Sequence, residues 1–305
     1  MTARKRILVL ILLASLLITS VFTLLPFAFI SVNEIDLYWG KVTPETAEIR
    51  GIATIFNPSI IGIPLSNMVI DLRIFMNGIE AASGIKRGIN FRAGESKINF
   101  SVFLDNKNIP KLWISHLRNN EKTTVDVKVH LFLDVSFWKI YLATFSKRIT
   151  VETDILSNLQ SNRSIEISII GSFYIIVKSL SFSWGEITNE VTEISSNLTL
   201  YNPNMIPLTL SKIGFDIQAN NITIGEGETS SSIILKPKSQ AQIDLKAKIY
   251  NEMLDDWFVT HIKNGEVTVI NIRFFSILKI GKTTLKIYLG DYSEKIKTSL
   301  LRSRK

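Results

Sequence analysis

A single displacement of 145 positions relates three separate motifs in this chain. Trp39-Gly40 recurs as Trp184-Gly185, Asn57-Pro58 as Asn202-Pro203, and WISHLRNNE (residues 113–121) as FVTHIKNGE (residues 258–266). Three matches in one order at one offset require a duplicated unit, and a repeat limits the fold to whatever one copy can form. The Pro-Leu pairs at Pro64 and Pro207 are offset by 143, because the first loop carries two extra residues, which loops absorb readily. With 305 residues the chain has room for two domains of ordinary size.

Within each copy the hydrophobic period is two. In AQIDLKAKI (residues 241–249), Ala241, Ile243, Leu245, Ala247 and Ile249 share one face, and Gln242, Asp244, Lys246 and Lys248 the other. VDVKVHLFL (residues 125–133) and MVIDLRIFM (residues 68–76) alternate in the same way. This is the pattern of half-buried strands. Several such runs per copy, separated by polar turns such as ITIGEGETSSS, point to an antiparallel β-sandwich rather than a parallel α/β sheet. One short helix is expected in each copy. In the first, Pro110 fits the opening turn ahead of Leu112, Trp113 and Leu117. In the second, Asn251 is the expected N-cap, Leu254, Trp257, Phe258 and Ile262 keep helical spacing, and Gly265 suits the C′ position.

The expected layout is a basic flank at 1–6, a membrane segment at 7–30, a first β-domain at 31–155, a linker at 156–169, a second β-domain at 170–298 and a basic tail at 299–305. Residues 7–30 hold no charge and are long enough to cross a bilayer as a helix. Arg4, Lys5 and Arg6 precede the run and Glu34 and Asp36 follow it, which places the N-terminus in the cytoplasm and the rest outside. The run is longer than a signal-peptide core and lacks a small-x-small cleavage site, so an uncleaved anchor is expected. ISIIGSFYIIV (residues 167–177) is too short to span and is expected to be one buried strand.

The net charge of +8 belongs to the ends. Setting aside Arg4, Lys5 and Arg6 and the five basic residues from Lys295 onward leaves 27 of 35 basic residues against 27 acidic ones. A nucleic-acid partner, which needs a basic face, is not expected. The absence of cysteine excludes disulfides and thiolate chemistry. His116 and His261 occupy equivalent positions near helix ends, His130 lies on the polar side of a strand, and none has a partner at metal-ligand spacing. Gly225-Glu226-Gly227 reads as a turn, and Asp255-Asp256 as acids in a first helical turn. No nucleophile elbow, P-loop or dinucleotide fingerprint is present, so no catalytic residue, metal or cofactor is assigned.

Each Asn-Pro pair closes a strand. Proline cannot donate to the ladder and asparagine can fold its own turn, so the first reading is a strand stop. A binding role for the loops, carried by Asn57, Pro58, Pro64, Asn202, Pro203, Asn204 and Pro207, is the second. Sequons at Asn99, Asn162, Asn197 and Asn221 are weak signals for glycosylation.

The anchor, the strand ending in Asn202-Pro203-Asn204, the nearby Pro-Leu, the alternating strands and the late helix resemble the late embryogenesis abundant group-2 domain. It is also called the water-stress and hypersensitive-response (WHy) domain. The first copy departs from the triplet with Asn57-Pro58-Ser59. The resemblance implies two fibronectin- or immunoglobulin-like sandwiches, no enzymatic activity, and protection or binding of proteins or envelope components outside the membrane. Lipid binding is the alternative it implies, and a passive spacer is a third reading. The isoleucine-rich composition is consistent with a thermophilic archaeon.

Overall fold

The structure, a computed structural model, describes residues 31–301 apart from residues 58–62, 65–67, 92–93, 136, 157–164, 171–172, 211, 281–282 and 299. The expected membrane run at 7–30 lies outside the described residues. Among those described, no helix is long and apolar enough to cross a membrane.

The chain is mainly β. Its first half holds β1 (Ser31–Val42), β2 (Thr46–Asn57), β3 (Ile63–Pro64), β4 (Met68–Met76), β5 (Ile79–Arg87), β6 (Asn90–Phe91) and β7 (Gly94–Asp105). A 3-10 turn then leads into α1 (Ile109–Arg118), followed by β8 (Lys122–Val135) and β9 (Trp138–Glu152). The second half holds β10 (Ile165–Ile170), β11 (Phe173–Ile187), β12 (Val191–Tyr201), β13 (Leu208–Leu210), β14 (Ile213–Ala219), β15 (Ile222–Thr229), β16 (Ile233–Leu235) and β17 (Gln240–Tyr250). A second 3-10 turn precedes α2 (Leu254–Lys263), and β18 (Val267–Ile280) and β19 (Thr283–Lys297) complete it.

Both large sheets are antiparallel. The first runs β1-β2-β7-β5-β4-β8-β9 and the second β10-β11-β12-β17-β15-β14-β18-β19, the same order with β10 added at one edge. Each half also has a two-stranded sheet, β3-β6 or β13-β16. The join between β5 and β7 is only Ala82↔Leu104 and Ser83↔Phe103. The first sheet folds over at this weak seam: Ala53, Ile55 and Ile98 from β2 and β7 pack against Met68 and Leu131 from β4 and β8. In the second half β10 lies against β19, so the two edges of that sheet meet. The alternation expected along β17 is seen, with Ile243, Ala247 and Ile249 buried between exposed Gln242, Asp244 and Lys248.

Several local expectations change. Residues 167–177 form parts of two strands, because β10 turns back onto β11 with Ile165 opposite Val177. β10 therefore begins inside the expected linker. Gly225-Glu226-Gly227 is strand, not turn. A Cβ on Gly227 would lie 2.1 Å from the Phe215 ring and one on Gly225 2.3 Å from the Lys248 carbonyl, so these glycines permit close approach across the sheet. The turn stands earlier, at Asn220 and Asn221, both with positive φ, as the tight antiparallel hairpin requires. Asn251 does not cap α2. It opens the preceding 3-10 turn and is fully buried.

Candidate functional site

The Asn-Pro end of the second half is closed from within. Asn202 is fully buried, and its Nδ2 donates to the carbonyls of Ile206 (2.9 Å), Leu235 (3.0 Å) and Lys236 (3.2 Å). Its Oδ1 accepts from the backbone N–H of Asn204 at 2.9 Å, the two-residue turn expected, and from Asn204 Nδ2 at 2.8 Å. Asn204 Nδ2 also donates to the Tyr174 carbonyl at 2.7 Å. The side chains of Asn202 and Asn204 are thus engaged in tying β12, β16 and β11 together. What the loop shows to solvent is apolar: Met205 is 81% exposed, and Ile206, Pro207 and, on β16, Ile234 are exposed too. In the first half Asn57 ends β2 buried and Pro64 lies in β3; Pro58 is outside the described residues.

The opposite ends of the two halves meet, and the third repeated motif lies there. The indole N–H of Trp39 donates to Glu266 at 2.8 Å, and that of Trp184 donates to Glu121 at 2.8 Å. Each half thus gives a tryptophan to the other's glutamate. The rings follow the same exchange, Trp39 edge-on to Phe258 and Trp184 edge-on to Trp113. Phe258 and Ile262 of α2 pack with Ala47, Ile49, Val102 and Leu104 of the first half. Ile109 and Trp113 of α1 pack against a cluster of Ala219, Ile249 and Leu254. The Trp-Gly pairs owe their glycine to crowding: a Cβ on Gly40 would lie 2.4 Å from the Glu48 carboxylate, and one on Gly185 2.9 Å from Glu193. That carboxylate is pushed down to about 2 by hydrogen bonds from the Arg50 side chain, the Lys41 N–H and the Ser101 hydroxyl.

Both joint glutamates adopt left-handed backbone, φ 58° at Glu121 and 60° at Glu266, which is costly for a side chain with a Cβ. The conformation persists because the carboxylate is fully used. Glu121 accepts from Ile155 N–H at 2.6 Å and the Thr153 hydroxyl at 2.9 Å. Glu266 accepts from Leu300 N–H at 2.6 Å and the Thr298 hydroxyl at 3.2 Å. Burial works to raise each glutamate's pKa, but these donors and the tryptophan hold both below the usual carboxylate range. The basic tail thus takes part in the joint, and Leu301 packs into the same cluster as Ala47.

His116 and His261 complete these networks. His116 lies between the hydroxyls of Thr123 (2.8 Å to Nδ1) and Thr153 (2.7 Å to Nε2), and His261 between those of Thr268 (2.7 Å) and Thr298 (2.8 Å). Thr153 and Thr298 give their protons to the glutamates, so Nε2 of each imidazole is the donor to them. Burial keeps both imidazoles below the ordinary histidine value, which favours the neutral ring with Nδ1 as acceptor.

One difference breaks the symmetry. Trp113 Nε1 donates to Thr192 Oγ1 (3.1 Å), which donates to Asn251 Oδ1 (2.8 Å), while Asn251 Nδ2 binds the Thr188 carbonyl. The equivalent positions 145 residues away are Phe258 of the second half and Ala47 and Asn106 of the first. Asn106 Nδ2 keeps its bonds to the Thr43 and Pro44 carbonyls, but its buried Oδ1 has no partner among the described residues.

The remaining candidates are scattered. His130 binds Thr144 on the sheet surface. Asn99 and Asn221 are exposed, Asn197 donates to Asp244, and Asn162 lies outside the described residues. Among the described residues no three His, Asp or Glu side chains gather as a metal site. Two open hollows, of about 370 Å³ beside Arg118 and about 390 Å³ along Ser181, Ser183 and Ser195, are shallow surface features. The joint was missed as a unit in sequence. Its signal was present, since Trp39, Trp184, Glu121 and Glu266 repeat at one offset, but a repeat does not reveal that each tryptophan serves the other copy.

Residues 197–287 match the family model described as late embryogenesis abundant protein, so the second half carries an LEA-type domain. No curated protein matches the chain. A crystal structure of a protein from Archaeoglobus fulgidus is 27% identical over 41% of this chain and 99% of its own, with a TM-score of 0.33. A solution structure of a protein from Arabidopsis thaliana is 16% identical over 41% of this chain and 80% of its own, with a TM-score of 0.30. A glycosyl hydrolase family 2 member from Bacteroides cellulosilyticus is 10% identical over 83% of this chain and 28% of its own, at a TM-score of 0.24. TM-scores this low do not align whole folds.

Proposed function

We propose that the chain is a non-catalytic, membrane-anchored protein that carries two WHy-like β-sandwich domains outside the membrane and binds or protects proteins or envelope components there. The match of residues 197–287 to the late embryogenesis abundant family carries this reading. The first half has the same strand order and the same repeated motifs, which supports reading it as a second copy. The uncharged run at 7–30, with basic residues before it and acids after it, supports the anchor and its orientation. The apolar tip at Met205, Ile206 and Ile234 is the contact surface this reading favours, through exposed hydrophobic groups rather than a pocket. No nucleic acid or cofactor enters it.

Two measurements test the reading. Protease protection on sealed vesicles, with a tag at each end, is expected to leave only the N-terminal tag protected. Residues 31–305, added to a heat-stressed client protein, are expected to suppress its light scattering, and Met205→Ser with Ile206→Ser to weaken that effect. Protection of the C-terminal tag would reverse the topology. Unchanged scattering, with no envelope protein or lipid captured, would remove the binding role.

A passive spacer is the second reading, and the joint favours it. The halves meet at their helix ends, so their Asn-Pro ends point away from each other. Strands of 12–15 residues at about 3.3 Å per residue make each half roughly 40 Å long.

A further inference from the structure

Among the described residues β4 and β8 pair as far as Met68↔Leu133 and β8 and β9 as far as Val135↔Trp138, which places the turn of the β8–β9 hairpin at this end of the sheet. Its tip carries large exposed apolar side chains. Phe137 is 95% exposed, Trp138 76% and Tyr141 66%, and Ile140 is also exposed. Trp138 and Ile140, two residues apart, share one face of β9, and Tyr141 takes the other, with Phe137 at the turn. Ile140 and Trp138 share their face with Leu133, while Asp134 and Lys139 lie on Tyr141's face, so the tip joins an aromatic, apolar face to a charged one, a combination that suits the membrane–water interface.

The tip lies at the end of the sheet where the chain enters. Ser31, the first residue of β1, pairs with Phe56 at the end of β2, and Phe56 pairs with Glu95 at the start of β7. β4 begins at this end, and Arg87 at the end of β5 holds Asp134 at the base of the tip at 2.7 Å. The uncharged run 7–30 therefore joins the fold at the end that bears Phe137 and Trp138. The second half offers a comparison within the molecule. At the positions 145 residues on, its sequence has Lys282 and Thr283 in place of Phe137 and Trp138. Of the two related hairpins, the one in the half that adjoins the anchor carries the aromatic pair.

We infer that the β8–β9 tip is a second membrane contact, with Phe137, Trp138 and Tyr141 seated in the headgroup region beside the anchor. Aromatic side chains with a polar edge favour that region. The inference rests on the anchored reading above. A seated tip would hold the first half at a fixed angle to the bilayer.

The chain has no cysteine, so Lys139→Cys gives the full-length protein one labelling site without removing an aromatic. The probe is an environment-sensitive nitrobenzoxadiazole label on protein reconstituted into phosphatidylcholine–phosphatidylglycerol vesicles. The expected result is blue-shifted emission that shallow spin-labelled lipids largely quench, with no quenching of the same label at Met205→Cys. Adding Phe137→Ser and Trp138→Ser to the Lys139→Cys protein should abolish the quenching; quenching that survives both overturns the role of the aromatics. An unquenched label in protein that resists alkaline carbonate extraction overturns the tip contact and leaves the anchor standing. Release by carbonate overturns the anchor, and the inference with it.

Discussion

Thr192 carries the buried polar network of the second half through one hydroxyl. Replacing it with valine keeps the shape but leaves Trp113 Nε1 and Asn251 Oδ1 without partners. Stranded buried groups cost more than a made bond returns, so a loss of about 2–3 kcal/mol in urea unfolding is expected. Ala47 is the reciprocal test. Ala47→Ser adds little volume and places a donor near the orphaned Asn106 Oδ1, and a gain of about 1 kcal/mol is expected. A loss would show that the packing around Ala47, which is fully buried, has no room for the hydroxyl. At Asn202 the side chain closes the loop with five hydrogen bonds, so Asn202→Ala should destabilise by about 3 kcal/mol or more.

At the scale of elements, the joint ties stability to pH. His116 and His261 have folded-state pKa values below the ordinary histidine value. The unfolded chain therefore binds protons first, and stability falls as pH drops through the mid-6 range. Glu121 and Glu266 are also held below their ordinary value, so their contribution is complete above about pH 4.5 and is lost as pH falls further. Both effects have the same sign. Protection factors of the α1 and α2 amides, taken against the intrinsic exchange rate at each pH, should fall from pH 7 to pH 5, and replacing both histidines with glutamine should flatten that part of the profile. Trp39→Phe and Trp184→Phe should each destabilise by about 1–3 kcal/mol, because the first leaves the half-buried Glu266 and the second the buried Glu121 short of a donor. The elements themselves were largely legible in sequence. Period-two alternation marks β4, β8 and β17, and Pro110 marks the start of α1. β15 was not, because Gly225 and Gly227 look like turn residues until the Lys248 carbonyl and the Phe215 ring are seen lying against them.

For the whole molecule, the joint should hold without the chain that links its halves. A protease site placed at 157–164 and cut in the folded protein is expected to leave two fragments that co-elute in gel filtration. The Trp39→Phe, Trp184→Phe double variant should let them separate at lower denaturant. Separation of the unmodified fragments in plain buffer would mean that the reciprocal contacts are too weak to matter. Because the helix ends are buried in the joint, the surfaces left for partners are the Asn-Pro ends and the sheet faces. The two ends differ in chemistry: aromatic at Phe137 and Trp138, aliphatic and thioether at Met205 and Ile206.

The sequence by itself determined that the unit is duplicated, that it is built of half-buried antiparallel strands with one late helix, and that Asn202 folds its own turn. These depend on periodicity and short-range chemistry, which a linear string displays directly. Tertiary structure decided which copy each side chain serves. Trp39 and Trp184 read as equivalent members of separate domains, yet each completes the other half's carboxylate. It also decided that Asn251 is a buried network residue rather than a cap, and that the tail at Leu300 and Leu301 belongs to the joint. These outcomes follow from contacts between residues 34 to 227 positions apart. No local pattern encodes them, because their energy comes from desolvation and hydrogen bonding that exist only once both halves have folded.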